Sequence, residues 1–288
     1  MIGIDLPNDF TKRKSISDIF DKIAKKIFGS DDIKNVYFMY QGKKRQFKTR
    51  DSVKNFLVAR DFYEYDFINV TQEVFKYNKL SNYRKELLKE LSVKVCPYCN
   101  VHFIGGFVDN NGQEKEVADI DHFYPKSQYP EYGLCLYNFI PACQICNQRI
   151  KGTKKMTPKT HIYPYDESFE GNSNFKINNL VKHILQNEDV EITLTNPNEN
   201  ERVANSIERF KLKQRYQNFS QEASELVERV QMYNEVYSDS LISDFENLDI
   251  NKKQMIELIF GRKVSVAEYG QIPLGKFKED ILKQLGVR

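Results

Sequence analysis

Two Cys-x-x-Cys pairs constrain the fold of this 288-residue chain more than any other sequence feature. Cys96 and Cys99 form the first pair, and Cys143 and Cys146 form the second. The two-residue gap within each pair lets both sulfur atoms reach one tetrahedral metal ion at about 2.3 Å. Four thiolates leave no open coordination position, so we expect a closed, structural zinc site whose binding free energy stabilises the surrounding fold.

The overall cysteine usage supports metal ligation rather than disulfides. Four of the five cysteines lie in the two tight pairs, a pattern typical of a reducing compartment. Four unligated cysteines and a redox site are weaker alternatives, because no thioredoxin-like pattern surrounds either pair. The fifth cysteine, Cys135, is expected to be a small buried apolar residue.

The sequence predicts a cytoplasmic protein without a membrane partner. Its N-terminus, MIGIDLPNDFTKRK, lacks the charged segment followed by an apolar core that marks a secretory signal. No run of residues approaches the roughly 20 apolar positions that a membrane helix needs. Hydrophobic residues make up 40% of the chain and charged residues 29%, which is an ordinary composition for a globular protein.

The segment between the two cysteine pairs carries a candidate hydrolytic site. Asp121 and His122 are adjacent in the motif DIDHFYPKS, and Asn147 directly follows the last cysteine of the second pair. Hydrolysis of a phosphodiester needs a base for the attacking water and a hard cation that neutralises the phosphate. His122, with an ordinary pKa of about 6.5, suits the base. Asp121 and the neutral amide of Asn147 are oxygen ligands suited to Mg²⁺ or Mn²⁺.

Other polar residues are weaker candidates for this site. Asp119 lies two residues before Asp121, so on a strand it would face the same way and assist the metal. His161 follows a run of basic residues and is a candidate for a phosphate or cation contact. His102 follows the first cysteine pair and is a candidate contact to its sulfur atoms, with a surface or packing role favoured. His183 lies in a predicted helix and has no motif around it.

The combination of CPYC, DIDHFYPKS and YNFIPACQICNQRIKG resembles the HNH, or ββα-metal, endonuclease superfamily in its zinc-containing branch. The resemblance covers only the central part of the chain. It implies that His122 is the general base and that Asn138 braces the loop that aligns it. It also implies that Asp121 and Asn147 ligate the catalytic cation and that Lys151 contacts a phosphate.

A looser resemblance concerns the biological role. The motifs DIDHFYPKS, IYPYDESF and SIERFKLKQRY are similar to those of HNH proteins that accompany an ATPase in bacterial anti-phage modules of the Septu type. This similarity implies antiviral defence and an ATPase partner protein. The usual Gly-rich loop of the superfamily is replaced here by QYPEYG, so we expect the route of substrate entry to differ.

Basic residues are concentrated where the site is predicted. The net charge is only +3, from 43 basic and 40 acidic residues, which by itself does not indicate a nucleic-acid partner. From 149 to 161, however, the chain has five basic residues and no acid. Such a run is often a solvated surface, but beside the second cysteine pair we expect it to bind nucleic acid. The candidate contacts are Lys126, Arg149, Lys151, Lys154 and Lys155.

We predict an α+β fold, in which a mainly helical chain surrounds a central zinc-stabilised ββα-metal module. Residues 1–94 are expected to form a helical region with a small hairpin, residues 95–155 the nuclease module, and residues 156–288 a mainly helical C-terminal region. The module is expected to run strand, strand, loop and helix, and Gly152 to stop that helix.

Apolar periodicity predicts the individual elements of these regions. Helices are expected at 14–28, where Ser15 or Ser17 would be the cap, and at 51–60, 71–94, 201–248, 251–260 and 276–285. Strands are expected around a turn at Gln41-Gly42-Lys43 and a tight turn at Asn111-Gly112, and at 136–142, 175–180 and 190–195.

The function predicted from these features is a metal-dependent endonuclease with DNA favoured over RNA. Its flanking helices carry no base-reading motif, so we expect low intrinsic sequence specificity. An RNA-cleaving HNH nuclease and a catalytically inactive, zinc-stabilised nucleic-acid-binding adaptor are the alternatives. A zinc deaminase is excluded because no histidine is followed two residues later by glutamate, and Ala142 rather than proline precedes Cys143.

Overall fold

A computed structural model describes residues 1–68, 70, 73–233 and 251–288 of the chain. The fold combines α-helices with small antiparallel sheets, in agreement with an α+β class. None of the described helices has both the length and the apolar character that spanning a membrane requires. In these ranges the α-helices are α1 Lys14–Phe28, α2 Arg50–Leu57, α3 Arg84–Leu91, α4 Leu180–Gln186, α5 Glu201–Arg209, α6 Leu212–Tyr216, α7 Ser220–Met232, α8 Lys252–Phe260 and α9 Gly275–Gln284.

The strands of the described residues form four small sheets. One sheet has three strands in the order β2-β1-β3, and the others are the pairs β4-β5, β6-β7 and β8-β9. Sheets this small are not stable alone, so each depends on the helices and loops packed against it. The strands are β1 Tyr37–Tyr40, β2 Lys43–Gln46, β3 Asp66–Ile68, β4 Phe107–Val108, β5 Glu114–Lys115, β6 Asp119–His122, β7 Phe139–Ala142, β8 Phe175–Ile177 and β9 Ile192–Leu194.

Helix α1 illustrates how the N-terminal region folds. Its apolar side chains recur every three or four residues, all of them except Phe28 are buried, and the helix packs against α2. The predicted cap is wrong, because the helix begins after Arg13 and has no side-chain cap. Ser15 and Ser17 already lie inside the helix, and Ser15 donates instead to Glu90 on α3 at 2.7 Å.

Several other predicted elements differ in extent from those observed. The hairpin at Gln41-Gly42 is confirmed, but β3 joins the same sheet from a segment where no strand is predicted. Of the predicted helix over 71–94, residues 71 and 72 lie outside the described residues, and the rest is reduced to α3 and a preceding 3-10 helix, Tyr77–Tyr83. The strands around Asn111-Gly112 have only two residues each. Of the predicted helix over 201–248, the part from 234 onwards lies outside the described residues.

The central module runs strand, strand and helix. Strand β6 pairs antiparallel with β7, so that Asp121 is opposite Ile140 and His122 is opposite Phe139. A π-helix, Ile145–Lys151, follows β7 and is called the site helix below. It ends at Gly152, whose φ of 54° favours glycine. Turns of π-helix are frequent at functional sites, and here the helix directly continues the second cysteine pair.

One hydrophobic core connects the three regions predicted from the sequence. Buried residues from all three belong to a single cluster. The ring of Tyr98 in the module stacks on Phe210 after α5, with centroids 4.3 Å apart. Tyr124 in the module packs edge-on against Phe62 of the N-terminal region, at 5.7 Å. The module is therefore held between two helical regions, and the division into three domains stays a prediction.

Candidate metal centre and active site

The four paired cysteines lie together in the interior of the module. Their Sγ atoms are all within 4.8 Å of one another, and none of the four residues is more than 6% exposed. Four thiolates around a tetrahedral zinc ion at about 2.3 Å would lie about 3.8 Å apart. The spacing and the chemistry of the donors therefore fit one zinc ion. Cys135 is buried outside this cluster, as expected.

Each cysteine pair lies in a tight turn that the backbone stabilises. In the first turn, the Asn100 N–H donates to Cys96 O at 2.8 Å and the Cys96 N–H donates to His102 O at 3.0 Å. Asn100 has a φ of 52°, a left-handed conformation that asparagine tolerates better than most residues. In the second turn, the Cys146 N–H donates to Cys143 Sγ at 3.4 Å. Local turns thus bring the two sulfurs of each pair to one side.

Nitrogen donors from two regions contact the sulfur cluster. Arg215 on α6 donates to Cys146 Sγ at 3.4 Å, and His102 Nδ1 lies 3.6 Å from Cys99 Sγ. The predicted surface or packing role of His102 is corrected, because its imidazole contacts a cysteine sulfur. Four thiolates carry more negative charge than one zinc ion neutralises, so these donors stabilise the cluster.

Asp121 is buried in a closed ion pair. It is 3% exposed, and its Oδ2 accepts a hydrogen bond from the Tyr98 hydroxyl at 2.5 Å. Its Oδ1 accepts one from Lys151 Nζ at 2.8 Å, and the same ammonium donates to His122 O at 2.7 Å. Burial raises the pKa of Asp121, whereas Lys151 and Tyr98 oppose that shift. Both carboxylate oxygens are therefore engaged by the protein itself.

The predicted phosphate contact of Lys151 is corrected by this geometry. Its side chain is 1% exposed and points to Asp121 rather than to solvent. An isolated buried charge of either sign is strongly disfavoured, so the ammonium and the carboxylate must remain paired. The other four residues of the predicted nucleic-acid contacts are solvent-exposed: Lys126, Arg149, Lys154 and Lys155.

Asn147 on the site helix contacts Asp119 and not Asp121. Its Nδ2 donates to Asp119 Oδ2 at 3.1 Å, and Gln148 donates to the same oxygen at 2.8 Å. Asp119 and Asp121 share one face of β6, as strand alternation requires. The predicted pairing of Asp121 with Asn147 is corrected accordingly, because Lys151 holds Asp121 and leaves Asp119 for the amide.

Asp119 and Asn147 are half-buried and offer oxygen ligands to a hard cation. Asp119 Oδ1 makes no hydrogen bond within the described parts of the chain. A flip of the Asn147 side-chain amide would direct Oδ1 instead of Nδ2 toward Asp119. The two atoms are similar in size and differ mainly in hydrogen bonding, so such a flip needs little space. A carboxylate and an amide beside solvent match the oxygen-rich, partly hydrated coordination that Mg²⁺ or Mn²⁺ prefers.

His122 is buried and held in one tautomer. It is 6% exposed, and its Nε2 lies 3.1 Å from Gly133 O. A carbonyl oxygen only accepts hydrogen bonds, so Nε2 carries the proton and Nδ1 of the neutral ring keeps its lone pair. Burial is the largest cause that lowers the pKa of His122 to about 3. The imidazole is therefore unprotonated at neutral pH, which is the state that a general base needs.

Asn138 closes the loop between β6 and β7. The residue is fully buried, and its Oδ1 accepts a hydrogen bond from the Tyr124 N–H at 2.8 Å. Its Nδ2 donates to Tyr124 O at 3.1 Å and to Tyr132 O at 3.0 Å. One side chain thus fixes both ends of the loop, next to the carbonyl of Gly133. This is the geometry that a bracing role requires, and a contribution to catalysis stays a prediction.

A cavity of about 540 Å³ is lined by Tyr77 and Gly133, two residues that contact His122. Its lining includes Tyr77 and Lys126. The ring of Tyr77 packs edge-on against the imidazole at 4.9 Å between centroids, and Lys126 Nζ lies 4.4 Å from the centre of the Tyr77 ring. A side chain at Gly133 would meet Phe75 O at 2.7 Å, so only glycine allows this close approach. The N-terminal region therefore forms one wall of the candidate active site.

Sequence patterns do not identify three residues that complete these sites. Tyr77 and Arg215 lie far from the cysteine motif along the chain, and no spacing rule connects either of them to it. Tyr98 is one of the two residues between Cys96 and Cys99, and the Cys-x-x-Cys pattern does not specify these residues. The one usable signal is its hydroxyl, since a buried tyrosine hydroxyl needs a polar partner.

Comparison with known proteins finds partial and distant similarity. The chain is 35% identical over 72 residues to protein ea31 of Escherichia phage lambda, a match that covers 24% of this chain and 20% of that protein. It is 30% identical over 100 residues to Septu protein PtuB of Bacillus thuringiensis, which covers 31% of this chain and 35% of PtuB. No family model and no solved structure matches the chain. The matches thus span about a fifth of ea31 and about a third of PtuB.

Proposed function

We propose that the chain is a metal-dependent HNH endonuclease that hydrolyses phosphodiester bonds, with DNA favoured over RNA. The observation that carries the proposal is His122, whose Nε2–H donates to Gly133 O at 3.1 Å. Its Nδ1 makes no hydrogen bond to the described residues and keeps its lone pair to act as a base. It lies at the end of β6, and the site helix brings Asn147 into contact with Asp119. A base and oxygen ligands on one ββα unit are the groups that metal-assisted phosphodiester hydrolysis needs.

In the proposed reaction, His122 Nδ1 accepts a proton from the attacking water. Gly133 O accepts the hydrogen bond from Nε2 and so stabilises the positive charge that the imidazole acquires. Asn138 keeps the loop that carries this carbonyl in place through its three hydrogen bonds. By resemblance to the HNH superfamily, the products are expected to carry 5′-phosphate ends.

Asp119 and Asn147 would hold the catalytic Mg²⁺ or Mn²⁺. Asp121, whose oxygens are engaged by Tyr98 and Lys151, would contribute only its charge from the same face of β6. When bound, the cation neutralises the phosphate and the leaving oxygen. Asn147 must turn its amide oxygen inward to take part. Lys151 keeps its contact with Asp121, which limits the negative charge that this face presents to a phosphate.

Exposed basic residues would bind the sugar-phosphate backbone of the substrate. Lys126 lines the cavity beside His122, Arg149 lies on the site helix, and Lys154 and Lys155 lie in the loop that follows. Contacts of this kind position a strand without reading its bases. We therefore infer low sequence specificity, with target choice supplied by a partner.

A role in anti-phage defence is supported by similarity. The partial identity to the Septu protein PtuB agrees with the likeness of DIDHFYPKS, IYPYDESF and SIERFKLKQRY to HNH proteins of Septu-type modules. We infer that the chain acts in the cytoplasm and that an ATPase partner controls cleavage.

Replacement of His122 tests the proposed activity. We expect the wild-type chain to nick supercoiled plasmid in Mg²⁺ or Mn²⁺, and His122→Ala to lose at least about 100-fold of this rate because the base is missing. His183→Ala is the matched control, since this histidine on α4 contacts Glu188 O and lies outside the site. Nicking by His122→Ala at the wild-type rate would refute the assignment, provided that both variants keep the zinc content of the wild type.

A catalytically inactive, zinc-stabilised adaptor is the second candidate. The observation that favours it is the closed ion pair of Asp121 with Lys151, at 2.8 Å, because Asp121 then has no free oxygen for a cation. The same assay separates the two candidates. An adaptor binds nucleic acid but leaves plasmid and RNA intact in every divalent metal, whereas an RNA-cleaving nuclease degrades only the RNA.

A further inference from the structure

A second polar cavity lies between the loop after the site helix and the end of α5. Its volume is about 440 Å³, and none of its lining residues is apolar. We call it the α5 pocket. The loop contributes Lys154, Lys155, Thr160 and His161, and the α5 side contributes Asn205, Glu208, Arg209 and Lys211.

Hydrogen bonds between its two walls preform the α5 pocket. Asn205 Nδ2 on α5 donates to Thr160 O in the loop at 3.0 Å. Slightly further along both walls, the Ile162 N–H donates to Ser206 Oγ at 2.9 Å. Both contacts are local to the pocket and join segments far apart in sequence. A ligand would therefore enter an existing site and would not need to assemble one, which favours binding.

The α5 pocket is positively charged. Its lining has four basic residues and one acid, and this acid, Glu208, is already paired with Lys211. Lys154, Lys155 and Arg209 make no ion pair among the residues that the structure describes. These three cations converge on one cavity without an anion of the protein to neutralise them, so the pocket favours an anionic ligand.

Two of the deeper side chains have unused hydrogen-bonding atoms. Arg209 Nε is buried and has no hydrogen-bond partner in the described ranges. His161 is 6% exposed; its Nδ1 lies 2.8 Å from Thr160 Oγ1, and its Nε2 has no partner in the same ranges. Native proteins rarely leave buried polar atoms unpaired. Arg209 Nε is such a buried atom, and an oxyanion in the α5 pocket would accept its hydrogen bond. In the Nε2–H tautomer, His161 would donate to the same oxyanion.

The type of ligand follows from what the pocket contains and lacks. A guanidinium with flanking ammonium groups is suited to phosphate oxygens. Nucleotide pockets also need apolar or aromatic side chains for the base, and apart from the imidazole of His161 the lining of the α5 pocket has none. Its loop wall directly continues the site helix, and burial, Arg209 and Lys151 together lower the pKa of His161 to about 4. Because the site helix carries Asn147 and Lys151 and leads directly into this loop, the pocket lies next to the candidate active site along the chain.

We propose that the α5 pocket binds a backbone phosphate of the nucleic-acid strand beside the cleavage site, with Arg209 and His161 as its inner contacts and Lys154 and Lys155 at its rim. The choice of a polynucleotide, rather than free phosphate, rests on the proposed function. The C-terminal region thereby becomes part of the substrate-binding surface, although the nuclease motif does not extend to it.

Binding of a fluorescent DNA duplex to the full-length His122→Ala chain tests this subsite without cleavage. We expect an added Arg209→Gln to weaken binding about tenfold and to reduce the slope of log affinity against log salt by about 1, because one phosphate contact is lost. Lys182→Gln is the matched charge control, since Lys182 lies on α4, outside the pocket, and should change neither quantity. Lys154→Gln combined with Lys155→Gln replaces only exposed side chains and gives a second test that does not depend on Arg209.

The outcomes separate this proposal from the nuclease proposal. If duplex binding depends on Arg209 but the wild-type chain does not cleave DNA, only the nuclease proposal is refuted. Unchanged affinity in both pocket variants, or no affinity for any duplex, would overturn the subsite. Inorganic phosphate and AMP serve as competitors, and binding of these alone, without a duplex, would overturn the assignment to a polynucleotide.

Discussion

The cysteine cluster and the candidate cation site belong to one small module but differ in how complete they are. The four sulfur atoms converge within 4.8 Å in the buried interior. Asp119 and Asn147 are half-buried, meet through a single hydrogen bond of 3.1 Å, and face solvent. The closed site has its donor set complete and serves the fold. The open site keeps unused oxygen ligands, as a site that must admit a substrate requires.

Contacts nevertheless connect the two sites. Tyr98, within the first cysteine pair, donates to Asp121. Asn147, directly after the second pair, donates to Asp119. Each cysteine turn thus positions one carboxylate of β6. Variants that affect one site and spare the other measure how far the two can be separated.

The largest expected effect comes from Cys143→Ser. Structural zinc contributes about 10–16 kcal/mol in small zinc domains, which is comparable to the total stability of a domain. We therefore expect the variant to lose zinc and the module to unfold at room temperature, as followed by metal analysis and circular dichroism. Cys135→Ser makes the same chemical change outside the cluster and should keep the metal. Equal zinc content in the two variants would contradict a role of the cluster as the metal site.

The next largest effect is expected from Lys151→Met, which leaves Asp121 as an unpaired buried charge. Breaking a buried ion pair in this way costs about 3–5 kcal/mol. A second substitution, Asp121→Asn, removes the stranded charge and should restore most of the lost stability. Urea unfolding of the single and double variants measures both changes. If the second substitution does not restore stability, the loss in Lys151→Met does not come from an unpaired charge on Asp121.

A moderate effect is expected from pH through His161. Its pKa is about 4 in the folded chain, below the ordinary value of about 6.5. The unfolded state therefore binds more protons between these values, and stability is lost as the pH falls through this window. For one such group the loss between pH 8 and pH 5 is about 2 kcal/mol.

His161→Gln isolates this contribution. Urea unfolding of both chains at the two pH values should show a smaller acid-induced loss in the variant. His122 is unchanged in both chains, so its own titration cancels from the difference. Parallel pH profiles would mean that His161 titrates alike in the folded and unfolded states.

The smallest effect on stability is expected from Asp119→Asn and Asn147→Ala. Asn147→Ala removes one partly solvated hydrogen bond, worth about 0.5–1.5 kcal/mol. Asp119→Asn keeps an amide oxygen that can accept the bonds from Asn147 and Gln148. Cleavage should nevertheless fall at least about tenfold, because a ligand of the proposed cation is lost. Gln148→Ala removes the other hydrogen bond to the same Asp119 oxygen and should retain activity. Plasmid nicking and thermal unfolding of the three variants measure activity and stability. A parallel fall of both would contradict the proposed role of Asp119 and Asn147 as cation ligands.

Sequence reasoning works best where the structure is determined locally. The Cys-x-x-Cys spacing predicts the cluster because each pair lies in a single turn. Gly152 ends the site helix where predicted, and the Gln41-Gly42 turn forms its hairpin, because both depend on the conformation of one or two residues.

Features that depend on distant partners are not predictable in the same way. A strand pattern places Asp119 and Asp121 on one face, but nothing in it decides which carboxylate Lys151 neutralises. That choice depends on burial, because the deeper carboxylate needs the ammonium more. The wall formed by Tyr77, like the third strand β3, comes from segments that only tertiary packing brings to their partners. The α5 pocket likewise joins two segments far apart in sequence.

The two carboxylates of β6 in the candidate site are contacted by residues that are synthesised later in the chain. Asn147 returns to Asp119, and Lys151 returns to Asp121. A nascent chain that ends before Cys146 lacks one zinc donor and both of these partners. The site therefore cannot assemble while only the N-terminal half of the chain has been synthesised. Translation of a few further residues supplies the last thiolate, the amide and the ammonium almost together.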